Sequence, residues 1–492
     1  MRLILDTRDV ADYDLFLRAK RLPVYRVTGH TVDVPDEYAS HLGVQLNEPA
    51  AVEYRPTRGL FDYQKDIART AITKQKYAVF ADCGLGKTLI LLEFARHAAA
   101  NMPKGKAVLM VAPLMVVSQT VAEAERFYKG KLPIEVVPAN RLGAWLENPT
   151  SKIGITNYDA LTDDLPQGQL GGLVLDESSM LKSHYGAWGQ TCIRLGKGLP
   201  WKLCATGTPA PNDRIEYANH AVFLDQFPTV NSFLARFFVN RGETQNRWEL
   251  KPHALKPFYR TLSHWCIFLT NPATYGWKDN CGTLPPINVH IHNVPLTGAQ
   301  RSALGDSTGA LFVDKIGGIT TRAKLGQLAK GMHDGGEIET HKPAFIRRIV
   351  ESWPTESTII WCKYNAEQER MGREIPDAAS IDGDTPLAER ERIVDAFKAG
   401  TLKTIITKPK ILGFGLNLQV CTRQIFSTLQ DSYEEYYQAV KRSNRYGSTL
   451  PLNVHIPITE LEAPMVDTVL AKARRVQKDT EEQEAIFHAA QA

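Results

Sequence analysis

The stretch Ala81-Asp82-Cys83-Gly84-Leu85-Gly86-Lys87-Thr88 joins a predicted strand to a predicted helix through a glycine-rich turn. Tyr77-Ala-Val-Phe80 before it is typical of a buried strand, and residues 89–100 after it carry apolar side chains at helical spacing. Such a turn directs backbone N–H groups and the positive end of the helix towards a polyphosphate. We expect Lys87 to reach the β- and γ-phosphates and the Thr88 hydroxyl to bind Mg²⁺. The stretch predicts a phosphate-binding loop, with a chance glycine turn as the alternative.

Length and composition limit what the chain can be. At 492 residues it exceeds one core, and about 150 residues per domain suggests about three units. The net charge of +4 is small, so any contact with nucleic acid must come from local basic patches. The seven cysteines include no C-x-x-C pair, which argues against a zinc site and fits a reducing compartment. With no signal peptide or long apolar run, we expect a cytoplasmic protein that does not bind membranes.

Apolar strand-like runs alternate with helical stretches in two separate blocks, which predicts an α/β fold with two parallel sheets. A segment rich in Phe, Trp, Arg and Pro separates the blocks, a small appendage precedes them, and a charged helical tail follows. The predicted units are an accessory domain at 1–55, a first lobe at 56–222, a helical insertion at 223–290, a second lobe at 291–458 and a helical brace at 459–492.

Two acidic residues, Asp176 and Glu177, directly follow the apolar run Leu173-Val-Leu175. A buried parallel strand that ends there places both carboxylates at the carboxyl edge of the sheet, beside the phosphate-binding loop. Asp176 would then hold Mg²⁺, and Glu177 would polarise the attacking water. A solvated turn is the usual alternative for an isolated Asp-Glu pair, but a pair after a buried strand downstream of a Gly-Lys-Thr is usually catalytic.

In their order along the chain, these motifs resemble those of helicase superfamily two and, within it, the Swi/Snf-type DNA translocases. The resemblance covers roughly 58–480, and it includes Ala81 at the first glycine position of the loop. It also includes Ala205-Thr-Gly-Thr-Pro209 and the run Tyr437-Gln-Ala-Val-Lys-Arg-Ser-Asn-Arg-Tyr-Gly447. The resemblance implies two RecA-like lobes that clamp ATP, with a helical insertion and a small N-terminal appendage.

The resemblance also implies roles for individual residues. Gln64 would read adenine, Gly415 and Gln438 would contact the nucleotide, and Arg442 and Arg445 would act as arginine fingers from lobe two. Thr206, Gly207 and Thr208 would couple the nucleotide to the nucleic acid. The implied DNA-binding residues are Pro113, Thr156, Asn157, Lys363 and Asn417.

Two departures from the family pattern are visible. Ser178 and Ser179 follow the two acids where relatives often carry Ala-His, which weakens any inference about signalling from this motif. Cys266-Ile-Phe-Leu-Thr270 stands where many relatives carry a basic stretch, so this chain lacks those positive charges.

The function that the sequence predicts is an ATP- and Mg²⁺-dependent motor on double-stranded or forked DNA, without sequence preference, in repair, recombination or fork remodelling. The alternatives are a strand-separating helicase, the motor subunit of a restriction-type complex, and an ATP-gated DNA-binding protein that does not hydrolyse ATP. A small P-loop kinase is a weaker alternative, because it needs no second lobe. The resemblance allows a separate nuclease partner; we expect a monomeric motor, although the sequence does not determine the oligomeric state.

Overall fold

The computed structural model describes residues 2–22, 25–34, 38–44, 53–181, 187–210, 213–242, 248–278, 284–307, 319–412, 416–429 and 433–491. Among these residues, no helix combines the length and the apolar character that crossing a bilayer would require.

The N-terminal module is a small three-stranded antiparallel sheet covered by a helix. Strand β3 lies between β1 and β2, and Val32 and Leu42 form part of a separate small core. The elements are β1 (Arg2–Ile4), α1 (Val10–Lys20), β2 (Arg26–Thr28), β3 (Thr31–Asp33) and α2 (Ala39–Leu42). The module contacts the rest of the chain where the guanidinium of Arg260 lies 3.3 Å from the ring of His41.

Lobe one is a parallel sheet between two layers of helices. Its first elements are α3 (Asp62–Lys74), β4 (Lys76–Ala81), α4 (Lys87–Asn101), β5 (Ala107–Ala112), α5 (Leu114–Tyr128), β6 (Glu135–Val136) and α6 (Ala139–Glu147). Its later elements are β7 (Ile153–Asn157), β8 (Leu170–Asp176), α7 (Ala187–Gly196), β9 (Trp201–Thr206) and α8 (Tyr217–Phe223). Every residue of β5, β8 and β9 is buried, because helices cover both faces of the sheet.

The segment after lobe one returns to the same sheet. It contains α9 (Val230–Phe237), β10 (Phe238–Asn240), β11 (Trp248–Leu250), α10 (Leu255–Ser263) and β12 (Cys266–Leu269). Strand β12 pairs in parallel with β4, so that the described strands of lobe one run in the order β12-β4-β9-β8-β5-β7-β6. Residues 266–269 therefore belong to lobe one and not to a separate helical insertion, because their continuous apolar run is buried beside the strand that leads into residues 81–88.

Lobe two is a second parallel sheet, and it begins slightly before residue 291. Its first elements are β13 (Ile287–Asn293), α11 (Gly298–Ser307), α12 (Ile319–Ala329), β14 (Met332–His333), β15 (Gly336–Glu337), α13 (Lys342–Ser352) and β16 (Thr358–Trp361). The others are α14 (Asn365–Glu374), β17 (Ala379–Ser380), α15 (Leu387–Lys398), β18 (Thr404–Thr407), α16 (Pro409–Leu412), β19 (Arg423–Phe426), α17 (Tyr433–Ser443) and β20 (Leu452–Ile458). The main sheet has the order β13-β20-β19-β16-β18-β17 in the described part of the chain.

The C-terminal helix α18 (Ala463–Gln491) contacts both lobes. Near its start, Val466 and Val469 are buried in the core of lobe two. Near its end, Phe487 is buried in the core of lobe one, with its ring 4.9 Å from that of Phe268 in β12. The helix therefore links the two lobes along one side.

Candidate active site

The loop at residues 81–88 has the backbone geometry of a phosphate-binding loop. Gly84 and Gly86 have φ values of 92° and 68°, in the left-handed region that favours glycine, and Gly86 caps the start of α4. Lys87 is buried, and its Nζ atom donates to the carbonyl oxygens of Ala81 (2.9 Å) and Asp82 (3.4 Å). The Lys87 ammonium thus lies within the loop where it is predicted to bind phosphate.

Gln64 braces this loop from α3. Its Oε1 atom accepts from the backbone N–H of Phe61 at 2.9 Å, and its Nε2 atom donates to the carbonyl of Leu85 at 3.2 Å. The hydroxyl of Tyr63 donates to the same carbonyl at 3.0 Å. These contacts place Gln64 against the loop; its contact with adenine stays a prediction.

Asp176 and Glu177 lie at the carboxyl end of β8, and both are buried. Glu177 has a φ of 49°, an unusual conformation for a residue with a side chain, and its N–H donates to Asp176 Oδ1 at 2.9 Å. The hydroxyl of Tyr158 donates to the carbonyl of Asp176 at 2.7 Å and holds the turn from the other side. Burial and the neighbouring charge of Glu177 raise the pKa of Asp176 to about 7.

The three predicted coupling residues connect these acids to lobe two. The Thr206 hydroxyl lies 3.4 Å from Glu177 Oε2 and accepts from the N–H of Thr208 at 3.2 Å. The Thr208 hydroxyl in turn accepts from Gln438 Nε2 of α17 at 3.0 Å. A Cβ atom on Gly207 would stand 3.4 Å from the sulfur of Cys83, so a small residue suits this close approach.

Helix α17 carries one predicted arginine finger, Arg442, to the cleft between the lobes, and the other, Arg445, lies two residues after the end of this helix. Arg442 is 2% exposed, and its guanidinium donates to Gln438 Oε1 (2.6 Å) and Cys83 Sγ (3.6 Å) and lies 4.0 Å from Glu177 Oε1. Arg445 donates to the carbonyl of Leu416 at 3.0 Å, and its Cβ atom lies 3.2 Å from where a Cβ on Gly84 would be. Burial and then Arg442 lower the pKa of Arg445. The Arg442 guanidinium therefore faces the phosphate-binding loop, and the Cβ atom of Arg445 packs against the same loop.

Asp82 is a contact that the sequence interpretation missed as a link between the lobes. Its carboxylate accepts from the Tyr437 hydroxyl at 2.5 Å and from Lys441 Nζ at 2.8 Å, both on α17. Burial alone would raise the pKa of Asp82, but Lys441 and Tyr437 more than offset this and lower it. The spacing of Tyr437 and Lys441, one helical turn apart and next to Gln438 and Arg442, was the signal available in the sequence.

His220 is a second residue that was missed. It is fully buried on α8, and its Nε2 atom lies 3.0 Å from the hydroxyl of Ser178, the residue after the two acids. Burial lowers the pKa of His220 to about 4, so the ring is neutral near pH 7. A histidine thus lies beside this motif, although it comes from a different element.

Four of the predicted DNA-binding residues lie at or close to the carboxyl end of a strand, whereas Asn417 lies between α16 and β19. The hydroxyl of Thr156 is buried within β7 and donates to the carbonyl of Val137 at 2.8 Å, so it is not placed to make the predicted contact with DNA. Pro113 precedes α5, and Asn157 accepts from the N–H of Ala160 at 3.1 Å; both are half-buried. Lys363 follows β16 and, like Asn417, has an exposed side chain. Gly415 lies outside the described residues.

The donors at the cleft fit a nucleotide-bound magnesium ion. Within the described ranges, no group of three or more His, Cys, Asp or Glu side chains could hold a metal ion alone. Thr88 and Asp176 supply one hydroxyl and one carboxylate, and phosphate oxygens and water would complete such a shell. Burial and then the charge of Glu177 disfavour ionisation of Asp176 and raise its pKa, whereas a divalent cation bound beside it would favour the carboxylate.

The fold and the site together define a two-lobed ATPase, in which one lobe holds the phosphate-binding loop and the other supplies the arginines. Comparison with protein families identifies the family. Residues 69–332, more than half of the chain, match the SNF2-related domain, and residues 341–447 match the helicase conserved C-terminal domain. The chain therefore belongs to the SNF2-related helicases of superfamily two, and it is a hydrolase of the DNA-dependent ATPase and helicase type.

Individual relatives are distant. Protein p41 of the Acyrthosiphon pisum secondary endosymbiont phage 1 is 24% identical over 436 residues, which cover 80% of this chain and 91% of p41. The mouse DNA annealing helicase and endonuclease ZRANB3 is 22% identical over 423 residues, covering 80% of this chain and 38% of ZRANB3. A SWI2/SNF2 ATPase core from Sulfolobus solfataricus, solved in complex with dsDNA, is 21% identical with a TM-score of 0.40, covering 90% of this chain and 97% of that one.

Proposed function

We propose that this protein is a motor that hydrolyses ATP between its two lobes and moves along double-stranded or forked DNA without reading the sequence. The cellular task that we propose is DNA repair, recombination or remodelling of replication forks. The single observation that carries the proposal is the position of Arg442, whose guanidinium crosses the cleft to Cys83 of the phosphate-binding loop and to Glu177.

Each residue of the cleft has a distinct part in this proposal. Lys87 and the backbone of its loop would bind the phosphates, and Thr88 and Asp176 would hold Mg²⁺, which screens the phosphate charge when bound. Glu177 would orient a water molecule, and its Oε1 atom lies close enough to Arg442 to respond to closure of the cleft. Arg442 and Arg445 would stabilise the charge that develops on the terminal phosphate, an effect of about 10³–10⁵ in rate for other nucleotidases.

ATP hydrolysis would be coupled to movement because it requires residues from both lobes. The fingers and the phosphate-binding loop lie on different lobes, so a change in the angle between the lobes removes the fingers from the nucleotide. Thr206 and Thr208 connect Glu177 to Gln438 of lobe two by a chain of polar contacts. A shift of α17 would therefore move the Glu177 carboxylate through this chain of contacts.

The nucleic acid would lie across the carboxyl ends of the strands in both lobes. Lys363, Asn417, Pro113 and Asn157 remain our proposed contacts there, and they suit a grip on phosphates, which positions a protein without reading bases. The name of the relative ZRANB3 describes a DNA annealing helicase, which supports DNA as the substrate. Binding of this kind should weaken strongly as salt is raised.

The test is the rate of ATP hydrolysis with no nucleic acid, single-stranded DNA, blunt duplex, forked duplex and duplex RNA. We expect duplex or forked DNA to stimulate turnover most, and displacement of a triplex strand without separation of the duplex itself. The Arg445→Ala variant should bind ATP and DNA but lose the stimulated rate. Stimulation by single strands or RNA alone, or release of a labelled strand from the fork, would instead favour a strand-separating helicase.

A further inference from the structure

Glu367 is a buried carboxylate that joins two loops of lobe two. It lies in the first turn of α14 and is 4% exposed. Its Oε2 atom accepts hydrogen bonds from the backbone N–H groups of Lys363 (2.8 Å) and Tyr364 (3.3 Å), which follow β16. Its Oε1 atom accepts from the hydroxyls of Ser427 and Thr428, both at 2.6 Å, which follow β19. One side chain therefore holds the loops after two neighbouring strands.

A second buried group fixes the loop after β19 from behind. Lys342 donates to the carbonyl of Ser427 at 2.7 Å and to the carboxylate of Glu462 at 2.8 Å, and Lys330 donates to Glu462 at 2.7 Å. Burial alone would raise the pKa of Glu462, but the two lysines more than offset this and lower it to about 2. Both lysines also interact electrostatically with Glu367. The loop after β19 is thus held by four buried charged residues, Lys330, Lys342, Glu367 and Glu462.

The two loops border a cavity of about 190 Å³ at the carboxyl ends of β16, β18 and β19. Three of the residues that line this cavity are lysines. Lys363 follows β16, and Lys408 and Lys410 follow β18. The Lys408 ammonium also donates to the side chain of Asn365, the first residue of α14. The first turn of α14 therefore contacts the loops after all three strands.

We propose that Glu367 is a positioning residue of the nucleic-acid site of lobe two. By fixing the loop after β16 to the loop after β19, it determines where the exposed ammonium of Lys363 meets a phosphate of the DNA backbone. A lysine on an unfixed loop would lose more conformational entropy on binding, so the cross-link increases affinity without touching DNA. This inference rests on the proposed function, because it assumes that Lys363 contacts nucleic acid.

The experiment compares the full-length Glu367→Ala, Glu367→Gln and Lys363→Ala variants for duplex DNA binding by fluorescence anisotropy at several salt concentrations. Glu367→Ala should bind about ten-fold more weakly, with the slope of log affinity against log salt unchanged, because no phosphate contact is lost. Glu367→Gln should bind more tightly than Glu367→Ala, because an amide can accept from Lys363 N–H and donate to the hydroxyls. Lys363→Ala should lose affinity and reduce the slope by about one.

The matched control is Glu369→Gln, which removes the same charge from an exposed position on the same helix and should leave DNA affinity unchanged. The KM for ATP without DNA should also stay at its wild-type value in every Glu367 variant. If Glu367→Ala binds DNA with wild-type affinity while Lys363→Ala binds DNA more weakly, the positioning role of Glu367 is overturned and the proposed function stands. Wild-type affinity and slope of Lys363→Ala would overturn the contact that the proposed function assigns to lobe two.

A second variant removes the partners of Glu367 in the loop after β19, and it serves as the test if Glu367→Ala does not fold. Ser427→Ala combined with Thr428→Val keeps the carboxylate and its bonds to the loop after β16, but it removes the two hydroxyls through which Glu367 is joined to the loop after β19. It should reproduce the weaker binding and the unchanged slope. A folded double variant, judged by its thermal melting, that binds DNA as the wild type does would refute the inference.

Discussion

At the scale of single residues, several contacts constrain Glu177 in the cleft. It combines a left-handed backbone with burial, a threonine contact at 3.4 Å and an arginine from the other lobe at 4.0 Å. Left-handed conformations of residues with side chains cost free energy and are found preferentially at functional sites. The turn holds the carboxylate where both Thr206 and Arg442 reach it, and an ordinary helical or extended backbone would point it elsewhere.

Replacing Glu177 with Gln keeps the size of the side chain but removes the carboxylate that would activate water. We expect this variant to bind ATP with near wild-type affinity and to lose at least about 10²-fold in DNA-stimulated turnover. Nucleotide titration and a steady-state phosphate-release assay measure the two quantities, and Glu125→Gln, at an exposed position of α5, serves as the control. Wild-type turnover of the Gln variant would remove Glu177 from its catalytic role.

The acidic pair also makes stability depend on pH. The pKa of Asp176 is raised from 3.8 to about 7 by burial and by Glu177, so between about pH 4 and 7 the folded protein holds a proton that the unfolded chain has released. The folded state binds more protons in this window, and its stability therefore falls as pH rises. An Asp176→Asn variant cannot ionise there and should be more stable than the wild type at pH 8, by about 2–4 kcal/mol, and similar at pH 4.

Urea unfolding at both pH values, without nucleotide or magnesium, measures this difference. An equal difference between the variant and the wild type at pH 4 and pH 8 would show that the carboxylic acid of Asp176 keeps an ordinary pKa. Adding Mg²⁺ and ATP should stabilise the wild type more than Asp176→Asn, since only the carboxylate attracts the cation.

At the scale of elements, α17 contacts lobe one through two neighbouring rows of side chains. Tyr437 and Lys441 reach Asp82, while Gln438 and Arg442 reach Thr208 and Cys83. The residues of each row are four positions apart, which places them on one face of a helix. One helix therefore carries both Arg442 and the contacts that dock it against lobe one.

We expect Lys441→Ala to lower kcat about ten-fold, because the carboxylate of Asp82 loses its cationic partner and α17 docks less firmly. Asp82→Asn should add little further loss when Lys441 is already Ala, since both changes break the same contact. A double-mutant cycle on kcat at saturating DNA measures this, with Lys398→Ala on the surface of lobe two as the control. Additive losses would mean that the two side chains act separately.

At the scale of the whole molecule, α18 restrains the lobes. Its 29 residues span about 43 Å at the rise of an α-helix, which is long enough to contact both cores. Glu462, directly before it, is anchored by Lys330 and Lys342 of lobe two, and Glu484 near its end accepts from the N–H of Thr270 at 3.1 Å. The angle between the lobes therefore depends on contacts at both ends of this helix.

Phe487→Ala removes the ring that fixes the end of α18 to lobe one and should release that end. The lobes would separate more often, so Arg442 would spend less time at Glu177 and the KM for ATP would rise several-fold. Saturating ATP and DNA, which we propose to bind both lobes, should restore most of kcat. Steady-state kinetics and the radius of gyration from solution scattering test this, with Trp353→Ala, at a residue 64% exposed, as the control. A wild-type KM and an unchanged radius would contradict the restraint.

Local periodicity predicted many elements of the fold well. Strand β4 and helix α4 contain the stretches 77–80 and 89–100 that their apolar patterns predict, with one or two further residues at each end, because each pattern depends on burial within a single element. The same patterns could not assign β12 to lobe one, since a short apolar run does not indicate which sheet it joins. The resemblance that implied a DNA contact for Thr156 likewise could not show that its hydroxyl bonds to the backbone of Val137, because only packing brings these residues together.

The sequence by itself determined the strand, loop and helix around Lys87, the acidic pair after β8 and the presence of two parallel sheets. These features depend on backbone hydrogen bonds and side-chain spacing within one or two elements. Only the tertiary structure decided that Arg442 faces Glu177, that Asp82 binds a lysine 359 positions away, and that Glu367 joins two loops. Such contacts depend on how the cores of both lobes are packed, and no short stretch of sequence contains that information.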